Sequence, residues 1–231
     1  MVTTAIHSSC SSTTFNRSTY IRPSIASTVI VLDWDDTLFP NSHLSRKNYP
    51  LEEGPFVLAF EDQQMLDTLV KYIATFLASC IEANRTCIII TNGEDGWVQT
   101  SCERFMPSLL PFLQNIQIVS ARTAYEEKYP IDEWKTACFT VELAKIMGHQ
   151  SNPHQHVISI GDSHYERQAL KAFSNKMPLA KTKSVKFLHV PSMVDLCRQV
   201  KLIQTYLSHL CTHPGHLDLV LSHDLLRTVT V

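Results

Sequence analysis

Short runs of apolar residues alternate along the chain with longer stretches in which apolar residues recur at every third or fourth position. A short apolar run is typical of a strand buried on both faces of a parallel sheet, whereas the wider spacing is typical of a helix that buries one face. Strands are predicted at residues 29–32, 86–91, 115–120, 156–160 and 184–190. Because strands and helices alternate, the pattern predicts an α/β fold around a mostly parallel sheet.

The helices of this pattern are predicted at residues 65–81, from 94 onwards, and at 131–147, 164–173 and 191–210. Gly148 fits a C-terminal stop for the helix that precedes it. Residues 38–60 are predicted to be rich in loops, because three prolines and a glycine interrupt them. Residues 216–231 contain apolar residues but no pattern that predicts a structure.

Three segments are distinguished by composition and pattern. Residues 1–27 are rich in Ser and Thr and contain no Asp or Glu. This composition predicts a disordered leader, although acid-poor, Ser-rich segments that carry Arg also occur in organelle transit peptides. Residues 28–213 are predicted to form a single domain, followed by a C-terminal extension at 214–231.

Charge and cysteine content narrow the expected partners and compartment. The formal net charge of -2 gives no basic field, so nucleic acid is not an expected partner. Apolar runs stay well short of the ~20 residues of a membrane helix, so no membrane partner is expected. The seven cysteines are scattered and lack a Cys-x-x-Cys pair, which favours a reducing compartment such as the cytoplasm. Organelle targeting by the leader is the alternative.

Candidate chemistry begins where the first strand ends, in Asp33-Trp34-Asp35-Asp36-Thr37. Ligands of open α/β sheets bind at the carboxyl ends of the strands. Asp33 and Asp35 are two positions apart in an extended chain, so their side chains are expected on the same side. Two carboxylates held close repel each other unless a cation or a proton lies between them. A turn or a helix cap is the structural alternative, since Asp and Thr are common in both.

The Asp-x-Asp-x-Thr pattern behind an apolar strand resembles the first motif of the haloacid dehalogenase (HAD) superfamily. Three later segments resemble the family's other motifs, in the expected order: Thr91-Asn92-Gly93, Lys135, and Gly161-Asp162-Ser163-His164-Tyr165-Glu166. Lys128 is the alternative lysine, but it lies in a proline-bounded segment. The resemblance covers about residues 29–166 and implies a Rossmann-like three-layer αβα sandwich of the HAD type.

The resemblance also implies an activity, that of a phosphatase that hydrolyses a phosphomonoester through an aspartyl-phosphate intermediate. Asp33 would attack phosphorus, and Asp35 would protonate the leaving oxygen and later deprotonate the attacking water. Lys135 and the Thr91-Asn92-Gly93 turn would bind the phosphoryl group. Two alternatives stay open: a HAD-fold binding or scaffold protein without turnover, and a phosphotransferase to an acceptor other than water.

Mg²⁺ is the expected cofactor, because carboxylate oxygens suit this hard cation. The resemblance assigns it to Asp33, the backbone carbonyl of Asp35, and Asp162. Glu166 stands where the family has Asp. Three roles stay open for Glu166: a direct metal ligand, a ligand through water, or a partner for Lys135.

Substrate size is inferred from the two places where HAD enzymes carry cap domains. Here these places offer only residues 38–60 and 121–130, too few to bury a separate core. The expectation is therefore a capless or minimally capped site whose carboxylates are open to solvent. Such a site would admit a phosphate on a large surface such as a protein. The alternative is a small phosphoester, with the 38–60 loop or a second subunit as a lid.

Overall fold

The computed structural model describes residues 28–82, 85–148 and 152–231. Within these ranges the strands are β1 (Thr28–Leu32), β2 (Arg85–Thr91), β3 (Gln117–Ser120), β4 (His156–Gly161), β5 (Lys181–Lys186) and β6 (Leu217–Val220). They form one parallel sheet in the order β3-β2-β1-β4-β5-β6. The predicted α/β architecture is confirmed, and this strand order is that of Rossmann-like folds. The leader predicted at residues 1–27 lies outside the described residues.

Helices cover both faces of the sheet. They are α1 (Asn41–Arg46), α2 (Phe60–Cys80), α3 (Trp97–Phe105), α4 (Leu110–Leu113), α5 (Ala121–Tyr125), α6 (Ile131–Met147), α7 (His164–Lys176), α8 (Met193–Thr212) and α9 (His223–Arg227), with a 3₁₀ turn at Pro107–Leu109. Helix α2 packs against α8, and α6 packs against α5 and α7. Among the described residues, no helix has the length and apolar character needed to cross a membrane.

The central strand β1 is buried on both faces, as its uninterrupted apolar run predicts. Ile30 and Leu32 belong to the core that β1 shares with α2 and α8. Val29 and Val31 point the other way, into the core shared with α6 and α7. This alternation follows from the two-residue period of a strand, and it leaves the end of β1 enclosed between the two helical layers.

Two parts of the sheet differ from the pattern. The strand predicted at 184–190 is wrong in its bounds, because the observed strand β5 runs from Lys181 to Lys186. Its polar residues enter the sheet because the backbone pairs with β4, and the buried Lys183 amine bonds His156 Nδ1 at 2.8 Å. Strand β6 extends the sheet by pairing with β5. The sequence pattern predicted no structure for these residues.

The segments predicted as loops carry short helices. The 38–60 segment contains α1, and the 121–130 segment contains α5. The helix predicted from residue 94 begins three residues later at Trp97, because Gly96 adopts a φ of 86° and forms the boundary. The helix predicted at 131–147 is confirmed as α6, between Pro130 and Gly148.

Candidate active site

The candidate site lies at the carboxyl ends of β1 and β4, where the strand order reverses. From β1 the chain proceeds to β2 and β3 on one side, and β4 lies on the other. In open α/β sheets this switch point is where ligands bind. The Asp33 amide donates to the carbonyl of Ile160 at 3.0 Å, so the sheet fixes the backbone that carries Asp33. Asp162 follows directly after β4 on the same edge.

Lys135 joins two acidic residues from different elements at this edge. Its ammonium group donates to Asp33 Oδ1 at 2.6 Å and to Glu166 Oε1. The lysine lies in the second turn of α6, and 2% of its surface is exposed. The alternative lysine of the sequence analysis, Lys128, is exposed outside α6. The described structure therefore places Lys135, and not Lys128, on the first aspartate.

Glu166 is held by the helix that carries it. Its Oε2 accepts from the backbone N–H of Ser163 at 3.0 Å and from the Ser163 hydroxyl at 2.7 Å, completing a capping box at the start of α7. A Cβ at position 161 would overlap the Glu166 side chain, so Gly161 makes room for it. Both oxygens of Glu166 are engaged, and of its three open roles the observed contact is with Lys135.

Asp35 bonds a residue that the sequence analysis did not single out. The indole N–H of Trp97 donates to Asp35 Oδ1 at 3.0 Å and to Oδ2 at 3.1 Å. The next residue, Asp36, adopts a φ of 54°, a left-handed conformation that Asp tolerates in turns. Its carboxylate caps the segment that follows, accepting from the backbone N–H of Ser42 at 2.8 Å and from the Ser42 hydroxyl.

Asp162 is bounded by the last residue of β5 and by a residue of the loop that follows it. His189 Nδ1 lies 3.0 Å from Asp162 Oδ2, and the Lys186 ammonium donates to the Asp162 carbonyl at 3.0 Å. The next residue after His189 is Val190, with a φ of 52° that is rare for a β-branched side chain. Strand β5 and the loop after it therefore bring basic groups to the β4 side of the site.

The Thr91-Asn92-Gly93 turn lies at the end of β2, beside β1. Thr91 Oγ1 accepts from the backbone N–H of Gly93 at 2.9 Å, and the Ser120 hydroxyl donates to the Gly93 carbonyl at 2.7 Å. Asn92 Oδ1 is buried without a hydrogen-bond partner. The turn is thus fixed from both sides.

Burial and like charge determine the protonation of the site. Burial raises the pKa of Asp33 well above its ordinary value, and Glu166 and Asp162 raise it further against the opposing charge of Lys135. Burial also raises the pKa of Asp35 and that of Asp162 to about 6 each. Burial alone would raise the pKa of Glu166, but the Lys135 charge lowers it below the ordinary value. The ammonium of Lys135 therefore favours Glu166 as its ionised partner.

The donor set suits a hard cation. Asp33, Asp162 and the backbone carbonyl of Asp35 carry oxygen atoms, the type of ligand that Mg²⁺ prefers. Within the described ranges, no three His, Cys, Asp or Glu side chains come together as a metal site of their own. Besides burial, the neighbouring carboxylates raise the pKa of Asp33 and that of Asp162, because like charges repel one another at this edge. An added cation would relieve this repulsion.

The expectation of carboxylates open to solvent is wrong for the aspartates at the strand ends. The exposed fraction is 6% for Asp33 and 7% for Asp162. Lys135 and Glu166 cover Asp33 from the helices, and the turn after Asp35 folds back so that the Phe39 amide donates to the Trp34 carbonyl at 2.9 Å. The site is recessed between loops, although neither short insertion adds a core of its own.

Comparisons of the chain with protein-family models, with curated proteins and with solved structures found no match. The fold and the site together define an α/β protein of Rossmann-like topology with an acidic cluster and one buried lysine at its switch point.

Sequence reasoning missed Trp97, His189 and Ser42 as neighbours of the acidic residues. Trp97 and Asp35 are 62 positions apart, and His189 and Asp162 are 27 apart. Contacts over such separations leave no periodic signal in one sequence. Ser42 lies six positions after Asp36, in the first turn of α1, and its hydroxyl donates to Asp36.

Proposed function

We propose that this chain is a Mg²⁺-dependent phosphatase of the HAD type, which hydrolyses a phosphomonoester through an aspartyl-phosphate on Asp33. The observation that carries the proposal is the contact of the buried Lys135 ammonium with both Asp33 and Glu166 at the carboxyl edge of the sheet. A fixed cation beside a carboxylate nucleophile favours the approach of an anionic phosphoryl group. The position of Asp35 two residues after Asp33 supplies a second carboxyl group for proton transfer.

In the first step of the proposed reaction, a carboxylate oxygen of Asp33 forms a bond to phosphorus while the bond to the leaving oxygen breaks. Asp35 transfers its proton to that leaving oxygen. In the second step, Asp35 takes a proton from water, the water oxygen bonds phosphorus, and the bond to Asp33 breaks. Inorganic phosphate is released and both aspartates regain their starting states.

Other residues of the edge would bind the phosphoryl group. Lys135 and the hydroxyl and backbone N–H groups of the Thr91-Asn92-Gly93 turn supply donors. Asp33, Asp162 and the Asp35 carbonyl would hold Mg²⁺, which neutralises phosphoryl oxygens when bound. Glu166 takes the positioning role, because its oxygens already accept from Lys135 and Ser163.

The proposed substrate is a phosphate on a macromolecule, with protein favoured over nucleic acid because the net charge is -2. The support is the shortness of the two insertions, in which α1 has six residues and α5 has five. The recessed aspartates would require the phosphate to project from its carrier, as the phosphate of a phosphoserine side chain does. A preference of about a hundredfold for sugar phosphates or nucleotides over phosphopeptides, roughly 2.7 kcal/mol, would contradict this choice.

Phosphate release from a panel of phosphopeptides, nucleotides and sugar phosphates tests the activity, with Mg²⁺ and with a chelator. Wild type should release phosphate only with Mg²⁺, and Asp33→Asn should not. Asp67→Asn is the matched control, since Asp67 is an exposed aspartate on α2 that bonds Gln63. Transfer of phosphate to added alcohols in preference to water would favour the phosphotransferase alternative. A folded wild type that binds Mg²⁺ without turnover would favour the binding protein.

A further inference from the structure

The contact between Trp97 and Asp35 has no counterpart in the motifs that led to the proposed function. The Trp97 indole N–H lies at nearly equal distances, 3.0 and 3.1 Å, from the two carboxylate oxygens of Asp35. Within the described residues, no other side-chain hydrogen bond to Asp35 is present. The orientation of this carboxylate is therefore set from α3, by a residue 62 positions away in sequence.

The indole is itself held in place on several sides. The ring of Phe39 meets the Trp97 ring edge-on, with centroids 5.7 Å apart and an interplanar angle of 84°. A Cβ at position 93 would overlap Trp97 Cδ1, so the glycine of the phosphate-binding turn also makes room for the indole. The Ser101 hydroxyl donates to the Trp97 carbonyl at 2.6 Å and accepts from the Trp34 indole at 2.9 Å.

We infer that Trp97 is a positioning residue that fixes the Asp35 carboxyl group for proton transfer to the leaving oxygen of the substrate. This inference rests on the proposed function. A proton-transfer group must lie within hydrogen-bond reach of the atom it serves, and small displacements are costly. An indole N–H suits the task because it donates and does not accept. It can hold Asp35 without competing for the proton that Asp35 must deliver.

The consequence concerns the chemistry of the leaving group. A weakly basic leaving oxygen, such as p-nitrophenolate, departs with little help from an acid. A more basic one, such as phenolate or the alkoxide of a serine side chain, needs the proton as the bond to phosphorus breaks. A fixed Asp35 therefore adapts the site to phosphate esters with basic leaving groups, which include phosphoserine.

The kinetic test compares phenyl phosphate with p-nitrophenyl phosphate, which differ little in size. Trp97→Phe keeps an aromatic ring near Phe39 and removes the N–H donor together with part of the bicyclic ring. It should lower kcat/KM for phenyl phosphate about tenfold to a hundredfold, and for p-nitrophenyl phosphate much less. Use of kcat/KM isolates the first step from the hydrolysis of the intermediate.

Trp134→Phe is the matched control, because the Trp134 indole donates to the Tyr129 carbonyl and not to Asp35. Equal losses for both substrates would overturn the inference.

A second readout does not depend on turnover. The chain has three tryptophans, so its indole N–H signals in a ¹⁵N-correlated NMR spectrum can be assigned by Trp97→Phe and Trp134→Phe. Asp35→Asn should shift the Trp97 signal and leave that of Trp134 in place, whereas Asp67→Asn should shift neither. A Trp97 signal that does not shift in Asp35→Asn would overturn the inference about Trp97 and would leave the proposed function untouched. A folded wild type without turnover on any substrate would instead contradict the proposed function.

Discussion

At the scale of single residues, Lys135 determines the electrostatics of the acidic edge. It is buried, and it contacts Asp33 at 2.6 Å and also Glu166. Burial would lower the pKa of its ammonium group, but the charges of Asp33 and Glu166 raise it above the ordinary value. Removal of this single cation would leave two buried carboxyl groups without their partner, which is among the larger electrostatic penalties known in proteins.

Lys135→Met should therefore destabilise the fold as well as abolish activity. Loss of one partner from a buried ion pair costs about 3–5 kcal/mol in the free energy of unfolding. Urea unfolding at pH 7 measures this loss. Lys145→Met is the control, since Lys145 lies on the same helix, is largely exposed and pairs with Glu142. Its cost should stay below about 1 kcal/mol. Similar losses in the two variants would show that Lys135 is not an essential counter-ion.

A second buried lysine lies at the opposite end of the sheet. Lys183 has no exposed surface, and its amine bonds His156 Nδ1 at 2.8 Å and the Lys181 carbonyl at 3.4 Å. Burial, together with the charge of the neighbouring Lys181 and against the effect of Cys211, lowers the pKa of Lys183 to about 8. Within the described residues, no carboxylate forms an ion pair with this amine.

The lowered pKa of Lys183 predicts a stability that rises with pH. Between about pH 8 and 10.5, the ordinary value, the unfolded chain holds a proton that the folded chain has lost. The linkage relation then requires wild-type stability to increase across this window. Lys183→Met should remove this part of the increase and should be more stable than wild type at pH 7.

Urea unfolding at pH 7, 9 and 10 gives the difference between Lys183→Met and wild type. The advantage of the variant should shrink as pH rises. Lys171→Met serves as the control, because Lys171 is an exposed lysine on α7, and it should change stability by a similar amount at each pH. A Lys183→Met difference that is constant from pH 7 to 10 would contradict the lowered pKa of the Lys183 amine.

At the scale of elements, the segment after β1 is anchored to the domain although it carries only one short helix. Asp62, in the first turn of α2, accepts from the Tyr49 hydroxyl at 2.8 Å and bonds His43 Nε2 at 3.2 Å. Arg104 on α3 stacks over the Phe56 ring and donates to the carbonyls of Pro50 and Gly54. The 38–60 segment is thus tied to α2 and α3 on either side.

Asp62→Asn should loosen this anchor. Hydrogen bonds to a charged acceptor contribute about 1.5–3 kcal/mol, so the variant should lose stability of that order at pH 7. Hydrogen exchange should quicken at amides of residues 43–50, whereas α6 should be unaffected. Asp67→Asn lies on the same helix and is the control. Unchanged exchange in the 43–50 segment would mean that packing, and not Asp62, holds the segment.

The same elements show what a single sequence can predict. β1, β2 and β4 were predicted because their apolar runs are buried on both faces, and α6 because Pro130 and Gly148 bound it. The bounds of β5 were predicted wrongly because a lysine such as Lys183 is typical of the protein surface. The fold buries Lys183 against His156. β6 was not predicted because its four residues depend on pairing with β5, a contact between distant segments.

The candidate site likewise contains residues that the sequence predicts and features that it does not predict. Asp33 and Asp162 were identified because each follows a buried strand, and the parallel sheet brings those ends together. Lys135 was identified only through the family resemblance, since nothing local distinguishes it from other helical lysines. The recessed position of the aspartates follows from packing between helices and loops, which no local pattern expresses.

At the scale of the whole molecule, the parallel sheet collects the ends of β1, β2 and β4 at one edge, and α6 and α7 add Lys135 and Glu166 from a single face. The proposed chemistry needs all of these contributions, because the nucleophile and the proton donor follow β1, the Thr91-Asn92-Gly93 turn follows β2, and the fixed cation lies on α6. The central claim is that Asp33 is the nucleophile of a phosphatase.

Trapping the intermediate tests that claim most directly. The full chain with Mg²⁺ and p-nitrophenyl phosphate is quenched during turnover, reduced with borohydride, which converts an acyl phosphate into an alcohol, and digested for mass spectrometry. Homoserine is expected at position 33 in wild type, more of it in Asp35→Asn, and none in Asp33→Asn. Turnover without homoserine at position 33, or homoserine at another aspartate, would contradict it.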